Sequence, residues 1–131
     1  MAGFSDYLEN KLIDHVNGKT SYTMPTEYIG VSTADPLDDK SGLAEPSGSG
    51  YARVATTGAT WNAGSSGSAT NAAAITFPTA TGAWGTITHF ATFDAATAGN
   101  MLESGELDTP QAITTNQILR FDADALTKTY G

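Results

Sequence analysis

His89 is the residue of this sequence best suited to acid–base chemistry, because histidine titrates close to neutral pH. It stands in the segment WGTITHFATF, residues 84–93. A catalytic histidine needs a nucleophile and an orienting carboxylate around it, and the sequence has no G-x-S-x-G motif to supply a serine. The second histidine, His15, is distant in sequence, and no H-E-x-x-H zinc motif is present. We therefore interpret His89 as a half-buried structural residue and expect a protein that is not an enzyme.

An acidic segment provides a weak candidate for a calcium site. Residues 34–50, ADPLDDKSGLAEPSGSG, carry four carboxylates within eleven residues, those of Asp35, Asp38, Asp39 and Glu45. Calcium takes several oxygen ligands, but the spacing here departs from that of an EF-hand loop. The competing interpretation is a solvated acidic turn. We assign no other metal site, no catalytic residue and no cofactor.

The charge and the composition exclude several classes of function. Fourteen acidic and six basic residues give a net charge of −8, and the basic residues form no cluster along the chain. Nucleic-acid binding through phosphates needs clustered lysine and arginine, and an anionic membrane surface would repel this charge. There are no cysteines, no apolar run approaches the roughly 20 residues of a membrane span, and the first residues lack the pattern of a signal peptide. We expect synthesis in a cytoplasm, with no nucleic-acid or membrane partner.

Short strands separated by turn residues predict a mainly β fold, as one antiparallel β-sandwich or jelly-roll-like domain over residues 1–131. Strand character begins near residue 26 and recurs to about residue 130. In the central strand, alternation places Ile87 with His89 on one face and Phe90 on the other. Residues 100–107 should form the return strand of a hairpin. Residues 34–50 and 58–71 are predicted to be long surface loops.

One amphipathic helix is predicted at residues 5–17, in GFSDYLENKLIDHVNG. Ser5 is a favourable N-cap, and Gly18 is a natural residue at the end. Its apolar stripe, which includes Phe4, Leu8 and Leu12, recurs every four residues. That stripe must be buried against the sheet of the same chain or against another subunit. These three residues and Trp61 are therefore the candidate interface residues.

Three blocks of the sequence carry a resemblance to a known family. They are MAGFSDYLENKLIDHV, YIGVSTADPLDD with the later GLAEPSGSGYARV, and ITFPTATGAWGTITHFATFDAATAGNML. In wording and order they resemble a family of short virion proteins of tailed bacteriophages, often labelled tail-fibre proteins. Others of these proteins are similar to the small decoration, or cement, proteins of phage heads.

The resemblance implies a structural virion protein without catalytic residues or cofactors, made in the cytoplasm of a bacterial host. The first hypothesis is a capsid decoration protein that lies on the capsid exterior and binds the major capsid protein, as a symmetric dimer or trimer. The second is a tail or tail-fibre component involved in host attachment. A carbohydrate-binding module is a third hypothesis, since Trp61, Trp84 and Tyr51 could form a platform for sugars. Copy number in purified particles separates the first two hypotheses.

Overall fold

The computed structural model describes residues 3–130 and confirms the expected mainly β fold with one N-terminal α-helix. All paired strands in this range are antiparallel. The elements in chain order are β1 (Gly3–Phe4), α1 (Asp6–Val16), β2 (Glu27–Ser32), β3 (Val54–Thr56), β4 (Ser68–Thr70), β5 (Ile75–Thr76), β6 (Gly85–Phe93), β7 (Met101–Ile113), β8 (Arg120–Phe121) and β9 (Thr127–Thr129), with a 3₁₀ turn at Gly58–Thr60.

The main sheet has five strands in the order β1-β7-β6-β2-β3, and two small sheets pair β4 with β9 and β5 with β8. The larger hydrophobic core joins these layers. It packs Ile29 and Phe90 of the main sheet with Ile75 and Phe121 of the β5–β8 sheet. The small sheets thus cover one face of the main sheet, which gives a sandwich-like arrangement.

The opposite face of the main sheet carries a smaller core. Ala91, Phe93 and Met101 are buried there, and Leu43 packs against them. Leu43 belongs to the long segment between β2 and β3, which contains no strand. The segment predicted as a surface loop over residues 34–50 therefore also serves as a cover for this core.

The hairpin of β6 and β7 was predicted, but its register is interrupted. Ile87 pairs with Gln111, whereas His89 already pairs with Glu106, so β7 carries extra residues at this point. Pro110 falls in the interruption, which is where a strand tolerates proline. The irregularity changes the direction of neighbouring side chains, and Ile87 joins Phe90 in the larger core. The prediction that Ile87 shares a face with His89, opposite Phe90, was wrong because strict alternation ignored this bulge.

Helix α1 begins and ends within one residue of the predicted bounds. The Ser5 hydroxyl accepts a hydrogen bond from the Leu8 amide (3.1 Å) and donates one to the Met101 carbonyl (2.5 Å), so the N-cap ties the helix to β7. Leu8 is the buried residue of the helix. Towards the other end, Ile13 is 56% exposed and Val16 is 80% exposed. The helix is anchored by its first turn, and its last turn presents apolar side chains to solvent.

The second predicted loop, residues 58–71, was not structureless. A 3₁₀ turn opens it, Trp61 forms an isolated bridge with Asn71, and β4 closes it against β9. Asn71 is fully buried, and its side chain donates to the carbonyls of Ala73 and Asp122. Composition alone suggested a loop because the small residues of this segment give no strand pattern. Strand β4 forms through its pairing with β9, which is distant in sequence.

Candidate functional site

His89 lies in a row across three strands, between Ser32 of β2 and Glu106 of β7. That order of residue types would suit a hydrolase, but the Ser32 hydroxyl is fully used. It donates to the Ala34 carbonyl (2.6 Å) and accepts from the amides of Ala34 and Ala44. A hydroxyl has one donor and two acceptor sites, so Ser32 has none left for His89. The Nδ1 atom of His89 instead lies 2.8 Å from the Thr88 hydroxyl.

The four carboxylates of the weak calcium candidate do not come together. Asp39 accepts a hydrogen bond from the Ser41 amide and Asp35 accepts one from the Leu37 amide, so both cap local turns. Glu45 instead forms an ion pair with Arg53. Within residues 3–130, no group of three or more acidic or histidine side chains is arranged to hold a metal ion. The structure thus gives no geometric support to a site formed by Asp35, Asp38, Asp39 and Glu45.

Glu45 belongs instead to a buried polar cluster on the smaller core. Both of its carboxylate oxygens accept hydrogen bonds from the Arg53 guanidinium, at 2.6 and 2.9 Å. The Tyr51 hydroxyl donates to the Oε2 atom of Glu45 at 2.6 Å. The Arg53 guanidinium also donates to the carbonyl oxygen atoms of Ala95 and Ala98 and lies 3.5 Å from the centre of the Phe93 ring. Burial, followed by the hydrogen bond to Glu45, raises the pKa of Tyr51 far above its ordinary value. This cluster pins the hairpin connection and the long loop to the sheet.

A second buried cluster, which we call the Lys128 network, consists of Lys128, Glu27, Glu103, Thr56 and Trp61. The Lys128 ammonium lies 2.9 Å from Glu27 and 2.8 Å from Glu103. The lysine and Glu103 side chains are 6% and 7% exposed, and Glu27 is 14% exposed. Lys128 thereby connects the β4–β9 sheet to strands β2 and β7 of the main sheet.

The network carries one negative charge more than positive charge when both carboxylates are ionised. Burial is the main reason that the pKa of Glu103 lies above its ordinary value, with a further contribution from the charge of Glu27. Burial alone would lower the pKa of Lys128, but the two carboxylates outweigh it and raise that pKa. The Oε2 atom of Glu103 is buried and has no hydrogen-bond partner among the residues described. Removing any of the three charges therefore disturbs the other two.

Trp61 joins the Lys128 network to an open pocket of about 520 Å³. Its ring centre lies 3.8 Å from the Lys128 nitrogen, and its indole N–H donates to the Thr56 hydroxyl at 3.3 Å. The pocket is lined by Trp61, Met24, Pro25 and Glu27, among others. Trp61 is only half-buried, so it contributes an apolar wall that solvent can reach.

The three aromatic residues of the sugar-platform hypothesis do not form one surface. Trp84 is 4% exposed, and its indole N–H donates to the Ser49 carbonyl at 2.9 Å. Tyr51 packs edge-on against it, with ring centres 5.3 Å apart, and uses its hydroxyl internally. Trp61 packs at the rim of the same core. A flat platform of Trp61, Trp84 and Tyr51 is therefore wrong, because two of its members are structural.

The predicted interface residues differ in what they expose. Leu8 is 3% exposed and buried by the chain itself, and Phe4 is half-buried with its ring 4.3 Å from that of Tyr130. Leu12 and Trp61 are half-buried. The exposed large apolar side chains of the helix are those of Ile13 and Val16, which lie towards its end.

Sequence reasoning missed the charged residues of both buried clusters. A weak signal exists for Lys128, since it stands two residues after the buried Leu126 and so on the same side of an extended strand. No such signal identifies its partners, because Glu27 and Glu103 are 101 and 25 residues away in sequence. The polar core is defined by tertiary pairing alone.

With this geometry established, comparison with known proteins gives the family. The family model described as Podophage GP4 fiber I protein gp80 matches residues 3–129. The chain belongs to this family. It is a family of virion proteins of short-tailed phages, so the resemblance noted in the sequence is confirmed and the chain is a phage structural protein associated with the virion. No curated protein sequence matches the chain. None of the helices among residues 3–130 is both long and apolar enough to cross a membrane.

Proposed function

We propose that this chain is a subunit of a fibre of a short-tailed phage particle, attached to its neighbours through the exposed end of helix α1. The observation that carries the proposal is the family match over residues 3–129, since the family description names a fibre protein. The polar clusters agree with a structural role. Most of their charged groups contact one another within the chain, where they connect distant elements.

The attachment surface is the last turn of α1, where Ile13 and Val16 are exposed in the single chain. Large apolar residues close together on a surface are typical of a protein contact. Between Ile13 and Met24 the sequence has one acidic residue, Asp14, and one basic residue, Lys19. This segment is neutral in a chain of net charge −8, so it is where another acidic copy or another virion protein meets the least repulsion.

Capsid decoration is the second candidate, and one observation favours it. The accessible surface of the chain is 6755 Å², close to the roughly 6,500 Å² expected for a globular monomer of this mass. A compact domain of this kind suits a repeated contact on a shell of the major capsid protein, as a dimer or trimer on the capsid exterior.

The deciding experiment is to count and locate the chain in purified particles. Quantitative mass spectrometry gives its copy number relative to the major capsid protein, and cryo-electron microscopy gives the position of its density. The fibre proposal expects few copies, all at the tail. Copies comparable in number to the capsid subunits, with density on the shell, would refute it in favour of decoration.

The attachment surface is tested separately by incorporation of variants into particles. Val16→Ser removes an exposed apolar group and should reduce incorporation while leaving the isolated domain folded. Ile118→Ser is the matched control, because Ile118 is 55% exposed in the connection between β7 and β8. If both variants are incorporated as well as the unaltered chain, the end of α1 is not the attachment surface.

A further inference from the structure

The open pocket beside Trp61 has chemistry that the fibre role does not use. It lies where β2 begins and β3 ends, and Met24, Pro25 and Glu27 line it together with Gly58, the first residue of the 3₁₀ turn. Met24 is 56% exposed, and Trp61 is half-buried. The pocket therefore combines two apolar walls with a single carboxylate.

Of the described residues that line this pocket, Glu27 is the one that carries a charge. Glu103 lies behind it, bound to the same Lys128 ammonium. Lys128 is the one cation of this cluster, so the ionised network keeps an excess negative charge. A cation entering the pocket would be attracted by Glu27, whereas an anion would be repelled.

Glu27 still has room for a further donor. Its Oε1 atom accepts from Thr56 at 2.9 Å and from Lys128 at 3.1 Å, and its Oε2 atom accepts from Lys128 at 2.9 Å. A carboxylate oxygen accepts about two hydrogen bonds. One acceptor position therefore remains on Oε2, on a side chain that lines the pocket.

The geometry points to this pocket as a docking site for a basic side chain, arginine above all, presented by a protein partner. The aliphatic part of the arginine would pack between Met24, Pro25 and the exposed part of Trp61, and its guanidinium would donate to Glu27. Arginine fits because its charge is weakly hydrated and its planar group both stacks on aromatic rings and bonds to carboxylates. The net charge of −8 favours a basic partner surface in the same way. The inference holds whether the chain lies in a fibre or on the capsid exterior.

The test is a titration of the isolated protein with Nα-acetyl-arginine amide, followed by the NMR signal of the Trp61 indole N–H. Trp84 provides an internal reference, because it is buried and its indole N–H is bonded to Ser49. Nα-acetyl-citrulline amide is the matched neutral probe. We expect a saturable shift of the Trp61 signal with the arginine probe. Binding of the citrulline probe should be at least about tenfold weaker, and added salt should weaken binding of the arginine probe.

Two glycine variants test the location. A Cβ atom added at Gly58 or at Gly64 meets no atom within 4 Å, and of these two glycines only Gly58 lines the pocket. Gly58→Leu should obstruct the pocket and reduce the response at least about tenfold, whereas Gly64→Leu should leave it unchanged. An unchanged Trp84 signal shows that each variant is folded. The proposal is overturned if arginine and citrulline shift Trp61 equally, if neither shifts it, if Gly58→Leu has no effect, or if N-acetylglucosamine shifts it and arginine does not.

Discussion

Replacement of Lys128 by methionine is the most informative single change, because it removes the only cation of the Lys128 network and keeps an unbranched side chain that is one atom shorter. In the unaltered chain the ammonium lies between Glu27 and Glu103, at 2.9 and 2.8 Å. The variant leaves two carboxylates close together, one of them 7% exposed. Breaking a buried ion pair by removing one partner typically costs about 3–5 kcal/mol.

Two features of the site adjust this magnitude. Burial already raises the pKa of Glu103, so this carboxyl can take up a proton once Lys128 is gone, which limits the loss. The contact of the ammonium with the Trp61 ring, at 3.8 Å, is also lost, and a cation–π contact that is shielded from water contributes about 2 kcal/mol. We therefore expect Lys128→Met to lower the free energy of unfolding by about 4 kcal/mol near neutral pH.

Urea unfolding followed by circular dichroism measures this loss, and Arg120→Met is the matched control. Arg120 also forms an ion pair, with Asp122 at 2.9 Å, but the two side chains are 59% and 81% exposed. Exposed pairs contribute about 0–1 kcal/mol. If the Lys128 variant loses no more stability than the Arg120 variant, the Lys128 network does not support the fold and our account of it is wrong. Equal m-values in the two variants would show that the comparison concerns the folded state.

Three further predictions follow from the same geometry. Leu8→Ala should lower the free energy of unfolding by about 2–5 kcal/mol because it leaves a cavity. Ile13→Ala, at an exposed position, should change it by no more than about 0.5 kcal/mol in the same unfolding assay. Equal losses would contradict the anchoring of α1 by its first turn. Gly30→Ala should cost about 1–3 kcal/mol through overpacking, because the added carbon would lie 2.6 Å from the Tyr51 hydroxyl; an unchanged melting temperature would refute this. The pKa of Glu103 is raised in the folded chain, so its carboxyl holds a proton more firmly there than in the unfolded chain. The free energy of unfolding should therefore decline as the pH rises above about 4.5, more steeply in the unaltered chain than in Glu103→Gln. Parallel pH profiles of the two proteins would exclude Glu103 as the cause.

The elements that could be predicted are those with a local signal. Ser5 and the four-residue apolar period define α1, and the run around Phe90 defines the central hairpin strand. The same local reasoning placed Ile87 on the wrong face, because the bulge at residues 107–110 is a property of the pairing with β7. The family also followed from the sequence, since its characteristic blocks are contiguous.

The rest depends on contacts between residues far apart in sequence, which a pattern of neighbours does not contain. Glu45 looked like a member of an acidic turn, yet its partner is Arg53, held in place by the carbonyl oxygen atoms of Ala95 and Ala98. The weak calcium hypothesis arose because the four acidic residues were read as one group, and folding separates Glu45 from the aspartates. Charged residues in strands are interpreted as solvent-facing by default, and that default fails where opposite charges meet inside the fold.

Both buried clusters connect a segment with little strand pairing of its own to the main sheet. The cluster of Glu45, Tyr51 and Arg53 fixes the hairpin connection and the long loop. The Lys128 network fixes strand β9, which within residues 3–130 pairs only with the three-residue strand β4. Short sheets of two strands are marginal by themselves in water. A buried ion pair adds less stability than an apolar contact of the same size, but it penalises every arrangement in which its charges are unpaired. A virion subunit must present the same surface in every copy, so this selectivity for one arrangement is of more use to it than additional stability.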